Sequence, residues 1–137
     1  MDRALIEEKI ESLRRCIQRV EQKLPASLTE LLSDVDAQDI VALNLTRAVQ
    51  LCVDMSAHWL AEHSDAPAPK TMGQGFDALA KVGVIELALA ERMKKAVGFR
   101  NVMIHSYDEI DWAIVYAIGS RHLDDFKLFA RALLAAQ

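Results

Sequence analysis

Apolar residues near the amino terminus recur at alternating spacings of four and three residues, the pattern of side chains on one face of an α-helix. The series consists of Ile6, Ile10, Leu13, Ile17, Val20 and Leu24. Pro25 follows directly and ends the predicted helix, because proline lacks a backbone N–H and clashes with the preceding turn. A helix with such a stripe must pack against other helices, and it can leave apolar surface for a second subunit.

Helical periodicity continues after this first helix, with recognisable start and stop signals. Asp36 is a predicted N-cap for a second long helix that reaches about His63. A linker with two prolines, residues 64–70, follows it. Thr71 and Gln74 then have the spacing of a capping box for a short helix.

The carboxyl-terminal half predicts two further helices. Gly83 suits a left-handed cap at the end of the short helix, and a fourth helix runs from about Ile85 toward residue 105. Gly98 within that helix costs about 1 kcal/mol relative to alanine, so we expect it to serve a close helix contact or a bend. Asp111 is a predicted N-cap for one final helix whose apolar positions extend to Leu133. The predicted fold is all-α: an up-down bundle of four main helices plus short pieces, in one domain spanning 1–137.

Composition agrees with a globular, non-membrane protein. Of the 137 residues, 52% are hydrophobic and 26% are charged, with five glycines and three prolines. The charged amino terminus lacks the apolar core of a signal peptide, and uncharged runs such as 112–120 are too short to span a bilayer. We therefore expect a cytoplasmic protein without a membrane partner. Cys16 and Cys52 lie on apolar stripes, which favours buried free thiols over a disulfide.

The charge balance argues against broad nucleic-acid binding, because the net charge is −4. A local basic patch is still present in the sequence. It comprises Arg92, Lys94, Lys95 and Arg100. The alternative interpretation of the same residues is a solvated face balanced by neighbouring acids.

The segment 98–107 concentrates chemically useful side chains. Arg100, His105 and Tyr107 fall within eight residues at the end of the fourth predicted helix. A guanidinium can hold a phosphate bidentately, an imidazole can move protons near neutral pH, and a phenol can donate a hydrogen bond or accept a modification. Metal-free RNA cleavage needs a proton acceptor, a proton donor and a phosphate clamp. We predict that His105 supplies the proton transfer and that Arg100 is the clamp.

Spacing restricts how these side chains can meet. Arg100 and His105 are five residues apart, so on an intact helix their side chains point about 140° away from each other. The helix must therefore end or distort near Ile104, or a symmetric dimer must bring two copies of both residues to one cleft. If the chain is extended afterwards, His105 and Tyr107 share one side. Asn101, four residues before His105, is expected to steady the ring by a hydrogen bond.

Other readings of these residues remain open. An arginine and a histidine near a helix end also cap carbonyls or pair with carboxylates, and Asp108, Glu109 and Asp111 are close in sequence.

Asp54 lies on a polar stripe of the second long helix with Arg47, Gln50 and His58, where it could orient a motif residue or simply face solvent. His122 is a further candidate for the cleft, with a structural role as the alternative. His58 and His63 have the wrong spacing for two ligands on one helical face, so no metal site is predicted.

The pattern Arg-x-x-x-x-His-x-Tyr at residues 100–107, preceded by Gly98 and Phe99 and embedded in a similar run from Phe76 to Asp111, resembles the HepT type of HEPN-domain ribonuclease toxins. The resemblance implies a helical homodimer, within a larger hetero-oligomer where an antitoxin is bound. It also implies metal-independent endoribonuclease activity without a cofactor, in a type II toxin–antitoxin system.

The resemblance further implies an antitoxin of the minimal nucleotidyltransferase (MntA) type that adenylylates Tyr107. An AMP group on Tyr107 would place a bulky anion beside Arg100 and His105 and block a substrate phosphate. The alternative function is a non-catalytic helical module that docks a nucleotidyltransferase and binds nucleotide in the same cleft.

Overall fold

The computed structural model describes residues 3–137, and within this range the chain forms seven α-helices and one 3₁₀ turn. In order they are α1 (Arg3–Lys23), α2 (Leu28–Leu32), α3 (Val35–His63), α4 (Met72–Lys81), α5 (Leu87–His105), the 3₁₀ turn (Tyr107–Glu109), α6 (Trp112–Arg121) and α7 (Leu123–Ala135). The prediction of an all-α bundle with long helices and short pieces is confirmed. Residues 1 and 2 of the predicted range 1–137 lie outside the described residues.

The central element is α3, which packs against each of the other six helices. Its inner face holds Leu45, Cys52 and Met55, all essentially inaccessible to solvent. Phe76 of α4 and Phe129 of α7 pack edge to face in the same core, with ring centroids 5.6 Å apart. This packing fixes α3 as the scaffold on which the other helices are placed.

Among residues 3–137, one helix is long and apolar enough to cross a membrane by length and composition alone, and this helix is α3. Half of its most apolar window is buried inside the bundle. The central helix of a soluble bundle has this composition because it is covered on most sides. Cys16 and Cys52 are buried and free, as predicted.

Local capping signals locate the helix ends well. The Thr71–Gln74 capping box is present, and Gly83 has a φ of 84°, so both predictions are confirmed. The predicted N-cap of α3 is wrong by two residues. Asp34 has the extended backbone of an N-cap and accepts a hydrogen bond from the Ala37 N–H at 3.0 Å, whereas Asp36 lies in the first helical turn.

The single final helix predicted from Asp111 to Leu133 is also wrong, because the helix breaks at His122. Asp111 does cap α6, and its side chain accepts from the Ala113 N–H. Apolar spacing continues across the break, so periodicity alone could not reveal it. Two adjacent acidic residues could have indicated the start of a new helix. Asp124 and Asp125 occupy the first turn of α7, where negative charge complements the helix dipole.

Candidate active site

Arg100 lies on α5 and directs its guanidinium toward α3. Its Nη2 donates to the Gln50 side-chain oxygen at 3.0 Å, and its Nη1 donates to the Asn101 side-chain oxygen at 3.0 Å. Its Nε is buried and has no hydrogen-bond partner within residues 3–137. A guanidinium has five N–H donors, so two are engaged and three remain: the buried Nε–H and one further N–H on each Nη. The side chain is thus held in place with donors to spare for an anion.

Asp54 stands behind Gln50 in the same chain of hydrogen bonds. The Gln50 side-chain nitrogen donates to the Asp54 carboxylate at 2.9 Å. A carboxylate only accepts hydrogen bonds, so this contact turns the amide nitrogen toward Asp54 and the amide oxygen toward Arg100. Asp54 therefore reaches the motif arginine through Gln50, a residue that the sequence analysis placed on the same stripe without assigning it a role.

His105 is the last residue of α5, and it is exposed. Its side chain makes no hydrogen bond or ion pair with the part of the chain that is described. Asn101 bonds to Arg100 instead of steadying the His105 ring, so that expected contact is not formed. The helix ends within one residue of the predicted point, at the Ser106 C-cap, but both motif residues remain helical. One protomer therefore directs Arg100 toward α3 and His105 toward solvent.

Tyr107 follows in a 3₁₀ turn that begins directly after Ser106, whose φ is −144° and ψ is 50°. The chain is therefore not extended after His105, and the condition under which His105 and Tyr107 would share one side is not met. The Tyr107 hydroxyl donates to the Asp39 carboxylate of α3 at 2.6 Å, and the ring packs edge to face on Trp112. The pKa of Tyr107 is raised to about 12. Burial is the largest cause, and the hydrogen bond to Asp39 and the negative charge of that residue add to it. Tyr107 as a whole residue is 41% exposed.

Asp39 was missed by sequence reasoning. It lies on α3 eleven residues before Gln50, which is close to three helical turns, and Asp54 follows four residues after Gln50. The three residues therefore share one polar stripe along α3, and this stripe was the signal that could have identified Asp39. The stripe is hydrogen-bonded to α5 through Arg100, which donates to Gln50, and to the 3₁₀ turn through Tyr107, which donates to Asp39.

Several other expectations for this region are corrected. A Cβ built on Gly98 would have no neighbouring heavy atom within 4 Å in the described structure, so Gly98 serves no close helix contact inside the protomer, and α5 continues through it. The basic patch is partly neutralised: Arg92 pairs with Asp125 at 2.9 Å, and Lys94 pairs with Asp77 and Glu91. These two cations fit the solvated, balanced face that was the alternative.

The remaining histidines lie away from Arg100. His63 stacks on Trp59, with ring centroids 4.3 Å apart, and His122 is exposed at the junction of α6 and α7. Across residues 3–137, no group of three or more histidine, cysteine, aspartate or glutamate side chains is placed to hold a metal ion.

Comparison with known proteins identifies the family of this arrangement. The family model described as "Ribonuclease HepT-like" matches residues 13–133, a range that contains the α3 stripe and the whole Arg100–Tyr107 segment. The chain belongs to the HepT-like family. The predicted resemblance is thereby confirmed.

Curated relatives of the HepT-like chain cover nearly its whole length. It is 32% identical over 131 residues to the mRNA nuclease HepT of Shewanella oneidensis, covering 96% of this chain and 97% of the relative. It is 26% identical over 129 residues to the tRNA nuclease HepT of Aphanizomenon flos-aquae, covering 94% and 87%. Among solved structures, a tri-AMPylated Shewanella oneidensis HEPN toxin in complex with an MNT antitoxin matches with a TM-score of 0.89 and 31% identity over 100% of both chains.

Proposed function

We propose that this protein is the toxin of a type II toxin–antitoxin pair and acts as a metal-independent endoribonuclease. The proposal is carried by one observation: in a HepT-like chain, Arg100 is fixed by Gln50 and Asp54 with donors left over for a phosphate. The names of the two curated relatives, an mRNA nuclease and a tRNA nuclease, support RNA as the substrate.

In the proposed reaction, His105 accepts the proton of a ribose 2′-hydroxyl while that oxygen attacks the adjacent phosphorus. The bond from phosphorus to the 5′-oxygen breaks, and the leaving oxygen takes a proton from a second imidazole. The products are a 2′,3′-cyclic phosphate and a 5′-hydroxyl. Arg100 binds the non-bridging oxygens and stabilises the charge that develops on them.

The second imidazole comes from a second protomer in this proposal. Arg100 and His105 diverge by about 140° on the intact α5, so one protomer does not aim both at a single phosphate. A two-fold axis near the exposed His105 would bring two copies of each residue to a shared cleft. The open surface at Gly98, about two helical turns before His105, leaves room for such an approach.

The proposed regulator is a minimal nucleotidyltransferase antitoxin of the MntA type that transfers AMP to Tyr107. The Tyr107 hydroxyl attacks the α-phosphorus of a nucleoside triphosphate, pyrophosphate leaves, and the phenolic proton passes to a base. Support comes from the AMPylated relative in complex with its MNT antitoxin and from the 41% exposure of Tyr107. An AMP group at this position adds a bulky anion to the surface next to His105, where it would compete with the RNA phosphate.

We further propose that the toxin acts in the cytoplasm as a homodimer, that it joins a larger hetero-oligomer with its antitoxin, and that residues 1–137 form a single HEPN-like domain. The alternative function, a non-catalytic module that docks a nucleotidyltransferase, predicts antitoxin binding without any RNA cleavage.

The test is cleavage of labelled RNA in the presence of EDTA by protein produced without the antitoxin, compared with His105→Ala. His58→Ala is the matched control, because His58 is an exposed histidine of α3 without an assigned role. We expect cleavage by the wild type and His58→Ala, and none by folded His105→Ala. Equal cleavage by all three proteins would indicate a contaminating nuclease, and no cleavage by unmodified wild type would favour the non-catalytic module.

A second test addresses the modification. Incubation with the cognate transferase and ATP should add AMP to the wild type and not to Tyr107→Phe, as measured by intact mass. An unchanged wild-type mass would refute the proposed regulation and leave the cleavage proposal standing.

A further inference from the structure

A groove with a volume of about 620 Å³ runs between α1 and α3, beside the candidate active site. Arg15 and Arg19 of α1 line it from one side, and Arg47 of α3 lines it from the other. Buried Cys16 lies at its floor, and exposed Leu43 also lines it. The volume is in the range of about 300–1,000 Å³ that is typical of ligand sites. The groove thus collects three guanidinium groups in a chain whose net charge is −4.

These arginines are weakly engaged by the protein itself. Arg19 and Arg47 have no carboxylate within 4.0 Å in the described part of the chain, and Arg15 lies 3.9 Å from Glu11 at its nearest charged atom. Glu11 is already bound by Arg14, which forms its closest ion pair. A surface pair at 3.9 Å contributes little. The positive charge of the groove is therefore largely uncompensated.

The guanidinium charges of both walls act on the floor of the groove. Burial raises the pKa of Cys16, while the charges of Arg47 and Arg15 oppose that rise. The guanidinium groups of Arg15 on α1 and Arg47 on α3 therefore both lie close enough to Cys16 for their charges to act on its thiol. This is the arrangement that a linear anion lying along the groove would require.

The groove is continuous with the candidate active site. Gln50 and Asp54 line it, and Gln50 also holds Arg100. Asp54 is the one carboxylate among the described residues that line the groove, and it already accepts a hydrogen bond from Gln50. An anionic chain bound along the three arginines would lead directly to the side-chain pair that positions Arg100.

We propose that this groove binds the sugar–phosphate backbone of the RNA next to the scissile linkage, with Arg15, Arg19 and Arg47 contacting successive phosphates. The inference rests on the proposed ribonuclease function. The charge of the groove complements phosphate, and no aromatic side chain is present among the described residues that line it. Single-strand binders usually stack bases on aromatic rings, so the described lining of this groove provides no surface for base stacking. The contacts are to the backbone and are independent of base sequence.

The test is RNA binding in the His105→Ala background, which separates binding from cleavage. Fluorescence anisotropy of a dye-labelled single-stranded RNA is measured against salt for Arg15→Gln, Arg19→Gln and Arg47→Gln. Arg131→Gln is the matched control, because Arg131 is an exposed arginine of α7 outside the groove. We expect each groove variant to weaken binding by roughly tenfold and to lower the slope of log K against log salt by about 0.7. The control should change neither quantity.

In protein with His105 intact, the three groove substitutions combined should raise KM and leave kcat nearly unchanged, since they lie outside the reacting groups. Unchanged RNA affinity and salt slope in the triple variant would overturn the proposal. A triple variant that becomes monomeric, as measured by light scattering, would assign the groove to a second copy of the chain instead. A triple variant that keeps RNA affinity but loses antitoxin binding would assign the groove to the antitoxin.

Failure of the proposed ribonuclease function is distinguishable from failure of the groove. The cleavage assay with EDTA tests the former. Binding in the His105→Ala background tests the latter, and the two assays do not share a readout.

Discussion

Replacing Asp54 by alanine should slow RNA cleavage without unfolding the protein. The substitution removes the acceptor of the Gln50 side-chain nitrogen, a bond of 2.9 Å to a charged group. The Gln50 amide is then free to rotate, so that its nitrogen, which is a donor, faces the donors of Arg100 for part of the time. Hydrogen bonds to charged groups contribute about 1.5–3 kcal/mol. Asp54 is half-buried, so we use the lower end, about 1.5 kcal/mol, which corresponds to a roughly tenfold lower cleavage rate.

Gln50→Leu sets the upper bound for the same interaction. It removes both the bond to Asp54 and the 3.0 Å bond to Arg100, so the expected loss is about 10- to 150-fold. If Asp54 acts only through Gln50, Asp54→Ala should have no additional effect in the Gln50→Leu background, which gives a double-mutant cycle with a large coupling energy. Asp54→Asn keeps an acceptor oxygen and should retain most of the activity.

The assay is steady-state cleavage in EDTA over a range of RNA concentrations, which gives kcat and KM separately, with thermal unfolding as the check on folding. Because Asp54 also lines the positively charged groove, its removal should lower kcat without raising KM. The reasoning is refuted if Asp54→Ala slows cleavage by the same factor with and without Gln50, since Asp54 would then act on RNA or on His105 independently. A rise in KM at constant kcat would equally contradict a positioning role.

The structure also predicts four smaller effects. Asp39→Asn should lower the pKa of Tyr107 from about 12 toward its ordinary value of 10. The pKa should not return fully to 10, because burial is the larger cause of the shift. Tyrosinate absorbance in a Tyr116→Phe background measures this pKa. The raised pKa stabilises the fold fully below pH 10, so stability should fall as the pH rises from 10 to about 12, and less so in Asp39→Asn. Gly98→Ala should raise the free energy of unfolding by about 0.8–1.0 kcal/mol in urea titrations. Gly119→Ala should gain less or lose stability, because its Cβ would lie 3.2–3.3 Å from the side chains of Val20 on α1 and of Leu24 just after it. Equal gains at the two glycines would contradict this packing argument.

Local signals allowed much of the fold to be predicted from the sequence. The capping box at Thr71 and Gln74 and the left-handed Gly83 depend on atoms only a few residues apart, so the local sequence determines them. The α1 stripe similarly follows from helix geometry, and Leu13, Ile17 and Val20 on it are buried. Such features require no knowledge of what lies across the core.

Features that depend on distant partners were less accessible. The break at His122 leaves the apolar spacing unchanged, so it is invisible to periodicity. The choice between Asp34 and Asp36 as N-cap depends on where α2 ends and delivers the chain to α3. The Tyr107–Asp39 hydrogen bond joins residues 68 positions apart, and the local sequence around either residue does not indicate its partner.

The candidate site combines both kinds of information. Arg100 and His105 are recognisable from a short motif, but the orientation of Arg100 depends on Gln50, fifty positions earlier on α3. That dependence makes α3 more than a core helix: its buried face fixes the bundle, and its polar stripe orders the motif from Asp39 to Asp54. His105, in contrast, receives no support from the described part of its own protomer. The half of the site that faces α3 is therefore encoded within one chain, and the proposed dimer or bound RNA must order the half that faces solvent.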